Sequence, residues 1–160
     1  MTDSTVQIEV HPIEPDEVDA AGALVKSTLG EYDAYDYDNG NLQDLEPNRM
    51  EDLYEEPKGR FWVAKADGLV VGTVGLRRMD DRVCRMTRLS VHSDFRRHDV
   101  VQQLAAALEE YARGQGYRRV ICELLTRQKP ASVFLESVGF QEYKRTLRVK
   151  LVTISFERAL

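Results

Sequence analysis

Three basic or near-basic side chains stand together in the middle of the chain, Arg96, Arg97 and His98. They follow an alternating run that is typical of a strand, and a helical apolar pattern begins just after them. A basic turn between a strand and a helix can bind phosphate, because the first amides of the helix donate hydrogen bonds and the helix dipole favours negative charge. The sequence therefore predicts an anion-binding turn at this place.

Asp99 is the residue of this turn that opposes phosphate binding. It stands at the predicted N-cap, where its carboxylate could accept hydrogen bonds from the amides of Val101 or Gln102. A bound phosphate would need those same amides. Two interpretations stay open: Asp99 fills the site as an internal anion, or the basic side chains outweigh one carboxylate and phosphate binds.

The composition is that of a soluble globular chain, with 42% hydrophobic and 31% charged residues over 160 positions. We expect one domain over residues 1–160. No apolar run approaches a membrane span, and the N-terminus lacks a secretion signal pattern, so we expect a cytoplasmic protein without a membrane partner. Cys84 and Cys122 stand in predicted strands, and we expect buried free thiols rather than a disulfide or a metal site.

The charge is spread unevenly along the chain. The net charge is −5, and the segment from Glu31 to Glu56 holds ten acids and one base, Arg49. Tyrosines alternate with aspartates near its start, and these could attract a cationic amine or form a solvated acidic loop, the commoner role of a charge run. The residues concerned are Tyr32, Asp33, Tyr35, Asp36, Tyr37 and Asp38. No dense basic patch is present in the sequence, so we expect no nucleic-acid partner.

Apolar periodicity predicts an α/β protein in which strands and helices are mixed along the chain. Strands are expected at Thr5–Val10, Arg60–Lys65, Leu69–Arg78, Val83–Val91, Arg119–Leu125, Phe140–Val149 and Leu151–Phe156. Helices are expected from Pro15 to Gly30, between Leu42 and Tyr54, from Val100 to Ala112, and from Pro130 to Val138. This order predicts a mixed sheet of about seven strands with helices on both faces. The strands on either side of the Val100 helix should pair in parallel through a right-handed crossover.

The element order and two local sequences resemble the GNAT superfamily of N-acetyltransferases over residues 5–156. Residues 90–97, Ser-Val-His-Ser-Asp-Phe-Arg-Arg, are similar to the strand and turn before the phosphate-binding loop of that family. Residues 127–140 are similar to its second motif, a helix that packs near the cofactor and closes with Gly-Phe. The resemblance implies the acyl-CoA N-acyltransferase fold, acetyl-CoA as co-substrate, and a small or peptidic amine as acceptor.

The resemblance also implies where the cofactor binds. Acetyl-CoA would lie where two parallel strands separate, here Val83–Val91 and Arg119–Leu125. The backbone near Leu89 would pair with the pantetheine arm, and the turn beginning at Arg96 would hold the pyrophosphate. The implied cofactor-binding residues are Leu89, Ser90, Val91, Arg96, Arg97, His98, Asp99, Val100, Val101, Gln102, Gln128 and Phe134. The amine would enter from the opposite side, and the closing strands could support a homodimer.

The sequence departs from the pattern of the family in three respects. Asp99 and Val101 replace the small residues of the loop, where glycine lets the backbone approach phosphate. Leu135 stands where many members have a tyrosine that protonates the departing thiolate. The strand before the loop carries no carboxylate that could serve as a base, although the attacking amine must lose a proton.

Three other side chains are weak candidates for the catalytic base, Glu123, Tyr111 and His92. Each also has a plainer interpretation: a polar residue at a strand edge, a core-facing helix residue, and a loop residue, respectively. Two functions follow. The first is an N-acetyltransferase in which the amine attacks the thioester directly, with proximity and a strand amide supplying most of the rate. The alternative is a catalytically degenerate module of the same fold that binds CoA or a protein partner without turnover.

Overall fold

The computed structural model describes residues 6–31, 43–45, 47–96, 99–126, 129–148 and 151–160. The strands are β1 (Ile8–Pro12), β2 (Gly59–Ala66), β3 (Leu69–Arg78), β4 (Val83–Val91), β5 (Arg119–Leu125), β6 (Gln141–Arg148) and β7 (Leu151–Ala159). The helices are α1 (Val18–Glu31), α2 (Pro47–Tyr54), α3 (Val100–Gly114) and α4 (Lys129–Ser137). Short 3₁₀ turns at Pro15–Glu17, Gln43–Leu45 and Ser93–Phe95 precede α1, α2 and α3.

The strands form one seven-stranded sheet in the order β1-β2-β3-β4-β5-β7-β6. β4 and β5 pair in parallel, and the other neighbours pair antiparallel. The predicted mixed α/β sheet and its parallel central pair are confirmed. The first strand begins at Ile8, whereas the sequence placed it at Thr5–Val10, and Thr5 lies outside the described residues.

Alternation along the strands divides the core between the two faces of the sheet. On β2, Phe61 and Val63 pack with α1 and α2 on one face, and Trp62 packs on the other face with Leu104 and Leu108 of α3. All of these side chains are buried. Full burial of one such side chain stabilises the fold by roughly 1.5–3 kcal/mol. Helices therefore cover both faces, as the sequence predicted.

Gly72 of β3 sets the position of α3 on the sheet. A Cβ atom at Gly72 would lie 2.7 Å from Val100 Cγ1 and 2.9 Å from Leu104 Cδ1. These distances are shorter than real carbon contacts, so the helix start packs directly on a strand without a side chain. The first turn of α3 is thereby held close to the end of β4, where the chain leaves the sheet.

The two buried cysteines, Cys84 and Cys122, are free thiols, as predicted. Burial raises the pKa of each thiol to about 12. Both therefore stay protonated at neutral pH and act as small apolar core residues. Among the described residues, no helix is long and apolar enough to cross a membrane.

Candidate functional site

β4 and β5 pair over only three residues and then separate. Val83–Arg85 pair with Arg119–Ile121, whereas the rest of β4 pairs only with β3 and the rest of β5 with β7. A cleft of about 620 Å³ opens where they part. It is lined by residues 85–91 of β4 and 122–124 of β5, with side chains of α1, α2 and α4 as walls.

β4 carries a bulge in the wall of this cleft. Thr73 lies opposite Ser90 and Gly75 opposite Thr87, so β4 has two residues in the interval where β3 has one. Arg88, inside the bulge, has a φ of 51°. This left-handed conformation costs a non-glycine residue roughly 1–2 kcal/mol, so the surrounding contacts must hold it in place.

The bulge directs one backbone amide into the cleft. The buried Thr73 hydroxyl donates to the carbonyl oxygen of Arg88 at 2.7 Å, which fixes that peptide unit with its oxygen toward β3. The N–H of a trans peptide points opposite to its C=O. The amide of Leu89 therefore points away from β3 into the gap between β4 and β5. An acyl oxygen in the gap could accept a hydrogen bond from it.

A polar network holds the bulge from the side of α2. Asp44, in the turn before α2, accepts two hydrogen bonds from the Arg88 guanidinium. The Tyr54 hydroxyl donates to Asp44 at 3.2 Å and lies 3.0 Å from the Thr87 hydroxyl. Burial and the neighbouring Asp44 carboxylate raise the pKa of Tyr54 to about 12. The phenol thus stays protonated through neutral pH and can serve as a donor but not as a base.

Gly75 allows Tyr54 to approach the bulge. A Cβ atom at Gly75 would lie 2.6 Å from Thr87 Oγ1 and 2.8 Å from Tyr54 Cε1. The Tyr54 ring also packs edge-to-face on Phe61, with ring centroids 5.1 Å apart. A missing side chain on β3 and an aromatic contact on β2 therefore set the position of the hydroxyl.

Asp99 does not occupy the amides at the start of α3. It is the N-cap residue, but its exposed side chain accepts no capping hydrogen bond. Of the two interpretations left open, the one in which Asp99 bonds to Val101 or Gln102 is therefore not supported. Its backbone has φ −75° and ψ 27°, whereas a capping carboxylate needs an extended backbone to fold back over the first turn. These amides are not blocked by the Asp99 carboxylate.

Six of the twelve cofactor-binding residues predicted from the resemblance line the cleft, namely Leu89, Ser90, Val91, Arg96, Val101 and Phe134. Arg96 donates from Nε to the carbonyl oxygen of Val91 at 3.2 Å, which places it between the end of β4 and α3. Asp99 and Gln102 are exposed at the start of α3, and the Val100 side chain is buried beneath it. Arg97, His98 and Gln128 lie outside the described residues.

Of the three candidate bases, the structure brings only Glu123 to the cleft. His92 is exposed beyond the end of β4, where its Nδ1 accepts from the amide of Asp94 at 3.1 Å. Tyr111 packs edge-to-face on Trp62 on the other face of the sheet, at a centroid distance of 5.5 Å. Neither is among the residues that line the cleft.

Sequence reasoning missed Asp44, Tyr54, Arg49 and Arg77, which also line the cleft. Tyr54 belongs to the apolar stripe of a short predicted helix, and that pattern gives no sign of a polar partner for its hydroxyl. Its hydroxyl partner Thr87 stands 33 positions further along the chain. A predicted register for the hairpin of β3 and β4 would have placed Arg77 beside β4. No local sequence pattern indicates that Asp44, Tyr54 or Arg49 lies at the cleft.

Residues 27–140 match the family model described as the acetyltransferase (GNAT) family. The matched segment is more than half of the chain and includes the bulged strand, α3 and nearly all residues that line the cleft. The chain therefore belongs to the GNAT acetyltransferase family, as the two motifs indicated.

Curated relatives are N-acetyltransferases. The chain is 33% identical over 104 residues to the probable N-acetyltransferase family 8 member 5 of Mus musculus, covering 62% of the chain and 46% of that protein. It is 37% identical over 87 residues to N-acetyltransferase 8 of Homo sapiens, covering 51% and 38%. The chain thus spans less than half the length of these relatives.

Solved structures share the fold at low sequence identity. An acetyltransferase from Streptococcus agalactiae has a TM-score of 0.83 at 20% identity, over 96% of this chain and 98% of that chain. A GNAT acetyltransferase from Staphylococcus aureus has a TM-score of 0.85 at 19% identity, over 96% and 99%. A Bacillus anthracis acetyltransferase solved in complex with acetyl coenzyme A has a TM-score of 0.64 at 16% identity, over 69% and 67%.

Proposed function

We propose that the protein is an acetyl-CoA-dependent N-acetyltransferase, and that residues 1–160 act as one catalytic domain. The observation that carries the proposal is the gap between β4 and β5, with the amide of Leu89 directed into it by the bulge. Family membership supports acetyl transfer in general. A cytoplasmic location and a homodimer formed through β6 and β7 remain predictions from the sequence.

The described residues fit an acyl-CoA. Beyond Arg85, no strand of the described part of the chain pairs with the β4 edge that faces β5, so an extended pantetheine arm can pair with backbone groups of Leu89 and Val91. The first amides of α3 and the Arg96 guanidinium suit the pyrophosphate. Phe134 of α4 supplies apolar contact from the opposite wall. The exposed Asp99 carboxylate lowers the affinity for phosphate without blocking it.

The chemistry that follows is direct transfer. The acceptor nitrogen attacks the thioester carbon, a C–N bond forms, the C–S bond breaks, and CoA leaves as a thiolate. The Leu89 amide donates to the carbonyl oxygen, where negative charge develops. Glu123 on β5 accepts the proton that the amine loses. Leu135 offers no proton to the thiolate, which solvent water therefore protonates.

The polar network beside the bulge has a positioning role in this scheme. Tyr54 holds Thr87, and Asp44 holds Arg88, and these are the two residues that precede Leu89. A donor aimed at the developing oxyanion contributes most when it does not have to reorganise during the reaction. The non-catalytic alternative was based on the departures at the loop, at Leu135 and on a strand without a carboxylate. The Asp99 side chain makes no capping hydrogen bond, which weakens the first of these arguments and leaves the other two.

Calorimetric titration with acetyl-CoA, followed by an acceptor screen, tests the proposal. We expect binding to the full chain, weaker binding by Arg96→Gln, and unchanged binding by Arg118→Gln, an exposed arginine before β5. Thiol release and the mass of the acetylated amine then report turnover. Absence of binding at millimolar acetyl-CoA would refute the enzyme function, and binding without turnover across a broad amine panel would support the non-catalytic module.

A further inference from the structure

Two arginines stand opposite each other on the strands that line the cleft. The register of β3 and β4 pairs Arg77 with Arg85, and both line the cleft. Residues directly opposite in an antiparallel pair project from the same face, with Cβ atoms about 5 Å apart. Two guanidinium groups in this arrangement repel each other, and an anion between them would turn this repulsion into attraction at both.

Within the described part of the chain, neither of these arginines forms an ion pair, and the same holds for Arg49 of α2, which lines the same cleft. Other arginines of the sheet do have carboxylate partners. These pairs are Arg78 with Asp81, Arg88 with Asp44, Arg119 with Glu157, and Arg158 with Glu109. Three cations without carboxylate partners around one cleft indicate a ligand that brings its own negative charge.

The position of these arginines separates them from the phosphate end of the site. Arg85 precedes Val91 by six residues on one strand, which is about 20 Å at the usual rise. The pyrophosphate turn follows Val91, at the start of α3. Arg85 is also the last residue of β4 that pairs with β5, so it stands at the closed end of the gap. An anion held there belongs to the acceptor.

We propose that the acceptor is an amine that also carries a carboxylate, which Arg77 and Arg85 bind together and Arg49 attracts at the rim. This inference rests on the proposed acetyltransferase function. A guanidinium matches a carboxylate with two parallel hydrogen bonds, so a facing pair both binds the group and sets its orientation. The carboxylate stays unchanged in the reaction, and its binding carries the amine toward the bulge.

The proposal adds a carboxylate to the acceptor that the sequence left open. The acidic run around Asp33, Asp36 and Asp38 was interpreted either as an attraction for a cationic amine or as a solvated loop, and it lies outside the described residues. The described lining of the cleft is instead rich in arginine, and Asp44 is engaged by Arg88. Val25, Leu29 and Leu53 supply an apolar wall beside these groups. An amino acid with an apolar side chain suits this combination.

Matched acceptors test the inference with acetyl-CoA at saturation. The probes are phenylalanine, leucine and methionine, the amide of each, and the amine that each leaves on decarboxylation. Their kcat/KM values are compared after correction for the fraction of each amine that is unprotonated at the assay pH. We expect kcat/KM for an acid to exceed that of its amide and amine by about tenfold or more, as for a charge-assisted hydrogen bond. If amides or simple amines are acetylated as well as the acids, the inference fails while the proposed function stands.

Variants then assign the effect to the arginines. Arg77→Gln and Arg85→Gln should raise KM for the acids and leave kcat and acetyl-CoA affinity nearly unchanged, and Arg85→Lys should keep part of the preference. Arg78→Gln, next on the same strand but paired with Asp81 outside the cleft, is the matched control. Loss of acetyl-CoA binding in folded Arg77→Gln or Arg85→Gln would overturn the assignment to the acceptor.

Two further outcomes separate failure of the proposed function from failure of the proposed acceptor class. If the wild-type chain does not bind acetyl-CoA, the proposed function itself is refuted. If it binds acetyl-CoA and acetylates neither the acids nor their neutral counterparts, the proposed acceptor class is wrong.

Discussion

Arg88 binds Asp44 through two parallel hydrogen bonds, from Nε to Oδ2 at 3.0 Å and from Nη2 to Oδ1 at 2.8 Å. The two side chains are 15% and 16% exposed, so most of this pair is shielded from water. The pair joins the turn before α2 to the one residue of β4 with a left-handed backbone. One contact therefore holds both the turn before α2 and the bulge of β4 in place.

Asp44→Ala should destabilise the fold and slow turnover. The substitution leaves the Arg88 guanidinium largely buried without its carboxylate, which we expect to lower the free energy of unfolding by about 3 kcal/mol. The released bulge should also lower kcat. Urea unfolding and steady-state kinetics measure the two effects. Asp52→Ala, at an exposed position of α2, should leave both unchanged. A loss below about 0.5 kcal/mol for Asp44→Ala would contradict the role given to the pair.

Tyr54→Phe tests the hydrogen bonds to Thr87 and Asp44. Removal of the hydroxyl should lower the free energy of unfolding by about 1–1.5 kcal/mol and lower kcat, with acetyl-CoA affinity unchanged. Since the pKa of Tyr54 is about 12, the phenol does not titrate between pH 6 and pH 10. The variant should therefore keep the shape of the wild-type pH–rate profile. If the pH–rate profile of Tyr54→Phe lacked a rise or fall that the wild type shows in that range, Tyr54 would act as an acid or base.

Glu123→Gln should lower kcat by about a hundredfold and leave acetyl-CoA binding intact. A general base contributes typically two to four orders of magnitude, and the amide of glutamine cannot accept the proton. Glu136→Gln, an exposed glutamate on α4, is the matched control. Single-turnover rates with acetyl-CoA prebound separate chemistry from binding. Wild-type kcat in Glu123→Gln would remove Glu123 from the mechanism and leave proton loss to water.

Asp99→Asn should tighten acetyl-CoA binding, because it removes a negative charge beside the pyrophosphate position. The carboxylate is exposed, so the gain should be only about threefold at low ionic strength and should shrink as salt is added. Glu110→Gln, exposed further along α3, should change nothing. Calorimetric titrations at two salt concentrations measure both. Weaker binding by Asp99→Asn would show that Asp99 supports the cofactor turn.

Glu17→Gln should change the acid stability of the fold. Burial raises the pKa of Glu17, but hydrogen bonds from the amide of Glu14 and from His11 and Lys65 outweigh this, and the net pKa is lowered. The ionised form therefore stabilises the fold above pH 4.5, and this contribution is lost as the pH falls through the lowered pKa.

Urea midpoints measured from pH 7 to pH 3 test the role of Glu17. Glu17→Gln should be less stable than the wild type at pH 7, and the difference should narrow as the pH falls below about 4.5. Asp19→Asn, an exposed acid in the first turn of α1, is the control and should follow the wild-type curve. A constant difference at every pH would show that Glu17 contributes through packing alone.

The fold was predictable from sequence because its strands and its main helix have clear periodicity. Alternation marked β3 and β4 with the bounds that the structure shows, and the stripe through Val100, Leu104 and Leu108 marked α3. The crossover rule then made β4 and β5 parallel neighbours. The gap between them came from the family resemblance, since nothing in the periodicity shows where two paired strands separate.

The polar network of the cleft was not predictable from sequence, because it depends on backbone conformation and long-range contact. Asp44 and Arg88 are 44 positions apart, and they meet only because the bulge turns Arg88 toward α2. The two interpretations of Asp99 could not be decided from sequence for a related reason. N-capping requires particular φ and ψ values, and residue type alone does not determine them.

The three-residue ladder between β4 and β5 has a mechanical consequence. The sheet consists of two well-paired parts, one formed by β1, β2, β3 and β4 and the other by β5, β7 and β6. Strand pairing joins the two parts only where Val83–Arg85 pair with Arg119–Ile121. A joint of three residue pairs resists twisting less than a full-length ladder does. Small rotations about this joint would widen or narrow the cleft at its far end while leaving each part intact. Arg85 belongs to this joint, so a ligand bound to it would be displaced less by such a rotation than groups at the far end of the site.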